Sequence, residues 1–271
     1  MLPSPVLCYH RIGGPLELGV TRVGRSVFAR QMRALAHAGW RTLSLEEFAR
    51  PQAPHAARRT FLLTFDDGYS SLAEYAYPVL ADLGFTATTF LITDYVGKTN
   101  DWDVRYTWNR LRHLTWQQVE HWRAGGFHFS SHSATHRRLP WLADRAVEDE
   151  LTRSREVLVN RLGPAAGRAI AYPFGAVDQR ILRHATAAGY ELGFGGVKGN
   201  AEILNLARTP VYLWDVGDVP VGLRSDAIGS LGRTMAHVAN RCAIGTAIMQ
   251  LARRRTSPPP ESIADAAAGH A

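Results

Sequence analysis

"FLLTFDDGYS", residues 61–70, joins a run of apolar and β-branched residues to two adjacent aspartates and a glycine. The run has the length and composition of a strand buried in a core, and the carboxylates stand where that strand emerges. Carboxylates side by side repel one another, and each loses hydration at a strand end. A fold holds such a pair cheaply only beside something positive.

Outward from this stretch, short apolar runs alternate with helical patterns. Strands are expected at 5–10, 40–43, 60–65, 86–92, 127–131, 169–172, 190–195 and 208–213. Between them lie helical stretches such as 26–38, 72–83, 144–162 and 178–188. Ser44 with Glu47, and Thr115 with Gln118, have the spacing of capping boxes, and Gly84, Gly126, Gly163 and Gly189 fall where helices should stop. About eight β-units alternating with helices imply a parallel sheet, either a barrel or an open doubly wound sheet, and periodicity does not choose between them. Residues 93–113 interrupt the rhythm with a polar and aromatic excursion that includes Tyr95, Trp102, Tyr106 and Trp108. Following a strand, it belongs at the strand C-terminal face, as a surface insertion or a substrate-contacting loop.

Composition narrows the class. Hydrophobic residues make up 46% of the 271 and charged residues 20%, which allows a sizeable core. The net charge of +7 is spread over the chain apart from Arg253-Arg254-Arg255, so nucleic acid is not expected as a partner. Cys8 and Cys242 form no disulfide framework and read as reduced fillers. No basic and apolar leader and no stretch of 18 apolar residues is visible, so a cytoplasmic setting is expected. Residues 225–256 read as a helical segment ending in the three arginines. It either packs on the barrel or lies peripherally on anionic lipid at the inner face of a membrane. Residues 257–271, small and Pro-rich, read as a disordered tail, which leaves 1–224 as the main domain.

The second chemical signal is "SSHSATHRR", with His132 and His136 four residues apart directly after the strand at 127–131. Four-residue spacing brings two imidazoles within reach of one cation. Both this pair and the aspartates cap strand C-termini, so a parallel sheet places them on one face. Two histidines and one carboxylate suit zinc or another divalent ion, with a position left open for water. One aspartate then binds the ion, while its neighbour points elsewhere, because consecutive side chains diverge at a strand end. The second carboxylate can take a proton from water that the ion has acidified. Gly68 lets the backbone turn tightly around the pair.

On these residues the sequence resembles the polysaccharide deacetylases, the carbohydrate esterase family 4 enzymes with a NodB homology domain. Thr64-Phe65-Asp66-Asp67-Gly68 matches the family's first motif and His132-Ser133-Ala134-Thr135-His136 its second, and the likeness covers about residues 1–215. It implies a distorted (β/α) barrel of seven or eight parallel strands. It also implies a hydrolase that removes N-acetyl groups from a glycan or polysaccharide, with Asp66 as general base. Asp67, His132 and His136 would hold a divalent metal, zinc ahead of cobalt or nickel. The alternatives are an amide hydrolase of a small or lipid-linked sugar, and an inactive glycan-binding module.

Two departures stand out. The third motif reads Ala171-Tyr172-Pro173-Phe174-Gly175, with Ala171 where the family has an arginine that orients the base. Arg208 either substitutes for it or is a solvated charge at a strand start. Tyr172 and Pro173 are expected to shape the groove, with a backbone N–H there stabilising the oxyanion. The family's late strand and acid histidine have no C-terminal counterpart; His237 lies in a helical pattern. The apolar strand ending in His10 fits the circularly permuted relatives acting on poly-N-acetylglucosamine. There His10 would protonate the leaving amine, the alternative being a strand cap. His113, His121, His128 and His184 read as structural. The glycan and the oligomeric state are not legible.

Overall fold

A computed structural model describes residues 4–15, 20–50, 59–102, 108–197, 199–200, 202–224 and 248–249. Eight strands form one parallel sheet, in the order β10–β1–β5–β6–β7–β8–β9, with β4 also paired to β5. They are β1 (Val6–Tyr9), β4 (Arg41–Thr42), β5 (Thr60–Phe65), β6 (Thr88–Leu91), β7 (His128–Ser131), β8 (Ala169–Ala171), β9 (Leu192–Phe194) and β10 (Thr209–Pro210). A pair of two-residue strands, β2 (Arg11–Ile12) and β3 (Arg22–Val23), stands apart and was too short to carry a sequence pattern. Between β9 and β10 the sheet is bridged rather than laddered: Leu206 pairs with Phe194, and Gly195 N–H donates to Leu206 O at 3.0 Å. The sheet is therefore a curled, distorted barrel, as the family resemblance implied. Every expected strand is present, β5 at the full expected length and the others shortened.

Both faces of the sheet are covered, and strand parity decides which core each side chain joins. In β5, Phe61, Leu63 and Phe65 pack under helices α1 (Arg25–His37), α3 (Tyr77–Asp82) and α4 (Trp116–Ala124), whereas Leu62 faces the barrel interior. Strands buried on both faces read as continuous apolar runs, which is why residues 60–65 show no alternation. On the inner face, Leu62 and Thr64 lead to Asp66 at the C-terminal rim. Beyond β8, Ile170 and Tyr172 pack with Leu151 of α5 (Asp144–Leu162) and Ile181 of α6 (Gln179–Ala187), while Ala169 and Ala171 face inward.

Both capping boxes form: Ser44 starts α2 (Leu45–Ala49) and Thr115 starts α4. The helix expected over 72–83 is split. Residues Leu72–Ala76 take a wider π turn, in which Tyr77 N–H donates to Leu72 O, before α3 begins. Pro78 at the start of α3 lacks an N–H and cannot continue an unbroken ladder. No helix among the described residues is long and apolar enough to cross a membrane. The helical segment expected at 225–256 and the tail at 257–271 lie outside the described residues, apart from Ile248 and Met249.

Candidate metal centre and its catalytic surroundings

The turn after β5 places the two aspartates in different surroundings. Asp66 keeps extended geometry, and its N–H donates to Tyr9 O of the neighbouring β1. Asp67 then adopts φ +66° and Gly68 φ +67°, and Gly68 N–H closes the turn on Asp66 O at 2.8 Å. At Gly68 a Cβ would stand 2.6 Å from Leu91 Cδ2, so a larger residue must both adopt positive φ and displace the end of that leucine. The reversal swings the Asp67 carboxylate away from that of Asp66.

Asp67 Oδ1 lies 3.5 Å from His132 Nε2 and 3.5 Å from His136 Nε2. The three donor atoms all lie within 4.8 Å of one another, and all three residues are buried. A tetrahedral ion with bonds of about 2.0–2.2 Å needs donors about 3.3–3.6 Å apart, so this donor set fits a zinc-sized cation. The tautomer fits too: His132 Nδ1–H donates to Ala171 O at 2.7 Å, which leaves the Nε2 lone pair facing Asp67. Burial lowers the His132 pKa, keeping the ring neutral as a ligand must be.

The second-motif loop is held as firmly. Ser133 N–H donates to Ser131 Oγ at 3.1 Å, and His136 N–H to Ser133 Oγ at 3.1 Å. Glu150 on α5, itself buried, accepts from Thr135 N–H at 2.8 Å and from the Thr135 hydroxyl. Among the described residues, the only non-glycine residues with positive φ are Asp67, Ser133, His136 and Phe174. Two of them offer donor atoms, and the Phe174 ring stands 4.7 Å from that of His136. Such backbone costs about 1–3 kcal/mol per residue and concentrates where function over-determines the fold.

Asp66 has a different partner. Arg208 Nη1 donates to Oδ1 at 2.7 Å and Nη2 to Oδ2 at 2.8 Å, with both residues buried. Burial by itself would raise the Asp66 carboxyl, but the guanidinium, together with His132 and His10, holds it well below the usual carboxylate range. The positive partner that the opening motif demands is, at Asp66, the Arg208 guanidinium; at Asp67, His132 and His136 complete a donor set that would take a cation. Arg208 is buried and paired with Asp66, so the reading of it as a solvated charge is corrected. Asp66 Oδ2 is also 3.8 Å from His132 Nε2, 4.0 Å from His10 Nε2 and 3.5 Å from the Cys8 thiol, which donates to it. Burial pushes the Cys8 thiol up and lowers His10 to about 4. β1 lies between β10 and β5, which is what brings His10 beside Asp66.

Tyr172 and Pro173 do not take the expected place. Tyr172 has the outward parity of β8, its ring is fully buried, and its N–H donates to Phe194 O at 3.0 Å. Pro173 has no N–H to offer. The expectation of an oxyanion donor at these two residues, and of Tyr172 as a groove wall, is corrected.

Two side chains at the centre escaped the sequence reading. Trp102, from the excursion, lies 4.0 Å from the His136 ring, centroid to centroid. His113, read as structural, sits within 2.8 Å of the Asp67 carbonyl. An aromatic excursion was visible, but nothing in its sequence marked which rings turn inward.

The family model for polysaccharide deacetylase matches residues 54–193, just over half of the chain. The chain belongs to the polysaccharide deacetylase family. Its relatives within that family include YxkH of Bacillus subtilis (strain 168), 29% identical over 191 residues, which are 70% of this chain and 63% of YxkH. The poly-beta-1,6-N-acetyl-D-glucosamine N-deacetylase of Staphylococcus epidermidis is 26% identical over 192 residues, 68% of this chain and 64% of that protein. The chain thus spans less than two thirds of the length of these relatives. Among solved structures, the Streptococcus pyogenes deacetylase PplD shares the fold with a TM-score of 0.67. It is 24% identical, and the match covers 78% of this chain and 93% of PplD.

Proposed function

We propose that this polysaccharide deacetylase family member hydrolyses the N-acetyl groups of an N-acetylated glycan. The observation that carries the reading is the donor set of Asp67, His132 and His136 next to a separate buried carboxylate, Asp66, whose ionised form is held by Arg208. Asp67, His132 and His136 would hold a divalent cation, zinc first, with cobalt and nickel as alternatives. Bound there, it would polarise the acetamide carbonyl and acidify water.

Asp66 accepts the proton of the attacking water, and Arg208 fixes the direction of its oxygens. Addition at the carbonyl carbon leaves an oxyanion, which a backbone N–H of the turn at residues 172–175 would stabilise. When the C–N bond breaks, the departing nitrogen takes a proton from His10, leaving acetate and a free amine. Burial keeps His10 neutral at pH 7, so the proton it passes on is the one Asp66 has taken. His10 Nε2 stands 4.0 Å from Asp66 Oδ2, beyond direct hydrogen-bond reach, so the transfer runs through an intervening water or a closing of the pair. The name of the S. epidermidis relative supports an N-acetylglucosamine polymer as substrate. The cytoplasmic setting and peripheral membrane contact expected from the sequence remain part of the proposal.

The test is acetate release from oligomers of chitin, peptidoglycan and poly-N-acetylglucosamine, with zinc, cobalt or nickel supplied. Release from at least one of them supports the reading. Oligosaccharide binding without acetate release under any of the three metals favours a glycan-binding module instead.

A further inference from the structure

The excursion after β6 grips the turn that carries Asp67. Ser70 N–H donates to Arg112 O, and Leu114 N–H donates to Gly68 O, each at 2.8 Å. Between them, His113 reaches the Asp67 carbonyl through Nδ1 at 2.8 Å. Its other nitrogen, Nε2, accepts from Trp102 Nε1–H at 3.1 Å. An indole N–H can only donate, so the hydrogen of His113 is on Nδ1 and is directed at Asp67 O. The imidazole also stacks on Tyr69, with centroids 5.1 Å apart and planes 17° apart. Both Trp102 and His113 are buried, to the same degree as the donor residues themselves.

We propose that Trp102 and His113 form a positioning relay that holds the metal-binding arrangement of Asp67 and His136. Asp67 sits in a left-handed conformation that an aspartate leaves readily unless the peptide is held. The His113 hydrogen bond pins the carbonyl of that strained residue, which fixes where its carboxylate points. The indole whose N–H sets the His113 tautomer also packs on the His136 ring. One tryptophan therefore bears on two of the three donor residues, through His113 on Asp67 and directly on His136. The inference rests on the reading of Asp67, His132 and His136 as cation ligands. It adds that part of the affinity resides in the excursion.

Two substitutions separate positioning from mere support. In His113→Asn the amide NH2 takes the place of Nδ1–H and keeps the donor to Asp67. In His113→Gln the amide reaches the place of Nε2, keeping the acceptor for Trp102 while losing the donor to Asp67. Each variant leaves one buried polar group without its partner, so a purely structural role would affect both alike. Zinc dissociation constants are measured by competition with a chromophoric chelator. The visible spectrum of the cobalt-substituted protein and unfolding of the metal-free protein are recorded alongside. His113→Gln should weaken zinc by about 10–100-fold, the range for a lost outer partner. It should also change the cobalt spectrum, and His113→Asn should recover most of the loss. Trp102→Phe, which frees the His113 tautomer, should weaken zinc in the same direction and decides the matter if the His113 variants do not fold. Parent-like affinity in His113→Gln, or equal losses in the Asn and Gln variants, overturns the relay while leaving the metal centre intact. A parent chain that binds no zinc overturns both.

Discussion

Removing the guanidinium from Asp66 should do more damage at high pH than at low. In the parent, Arg208 and Asp66 form a buried two-point pair with distances of 2.7 and 2.8 Å. Arg208→Met keeps much of the side-chain volume but leaves a buried carboxylate uncompensated, a loss of about 3–5 kcal/mol when one partner of a buried pair is deleted. For a domain of about 200 residues this corresponds to a fall in Tm of about 6–20 °C. The sign of the pH effect follows from the carboxyl. In the parent its pKa is held below the unfolded value of about 3.9, so the pair's contribution is fully present above that value and is lost only as pH falls below it. In Arg208→Met burial dominates and the folded pKa rises above the unfolded one, so the deficit grows as pH rises through the new value. Denaturant unfolding in the presence of a chelator, at pH 5 and pH 8, reads this directly. The deficit should be larger at pH 8, and adding Asp66→Asn to Arg208→Met should remove most of the pH dependence. A variant within about 1 kcal/mol of the parent at both pH values, well under the 3–5 expected, would refute the pairing argument.

Asp66→Asn should retain zinc but lose acetate release by about 10²–10⁴-fold, the usual contribution of a general base; parent-like turnover removes Asp66 from that role. His10 is lowered to about 4 chiefly by burial, against about 6.5 unfolded, so it contributes stability present above pH 6.5 and lost as pH falls towards 4. His10→Gln should therefore lose less Tm than the parent between pH 6.5 and 4 in chelator, and identical slopes contradict the assignment. Gly68→Ala must accept a φ of +67° and displace Leu91, so thermal unfolding should show a loss of about 1–3 kcal/mol or more. A neutral outcome there would mean that the turn relaxes.

What could be read from the sequence was what local pattern and parity encode. The run at residues 60–65 announces a doubly buried strand, the boxes at Ser44 and Thr115 announce helix starts, and the strand-capping Asp and His pairs announce one face. Contacts between distant segments were harder. Arg208 reaches Asp66 across 142 residues, and the sequence left it balanced between a buried pair and a solvated charge. Tyr172 was misplaced because the register of β8 sends it outward, and a three-residue strand shows too little alternation to reveal that. His113 was missed for another reason. An irregular excursion has no period, so its one inward histidine looks like any other. The π turn before Tyr77 was foreshadowed only by Pro78.

The central claim is that a single cation is held by Asp67, His132 and His136 while Asp66 stays beside it as a free base. A second group of donors, Cys8, His10 and Asp66, lies next to the first, with Arg208 already paired to its carboxylate. Anomalous diffraction at the zinc edge from zinc-soaked crystals distinguishes the two. The account predicts one peak per chain, about 2.0–2.2 Å from Asp67 Oδ1, His132 Nε2 and His136 Nε2. A peak among Cys8, His10 and Asp66, or none at all in zinc-saturated crystals, would contradict it.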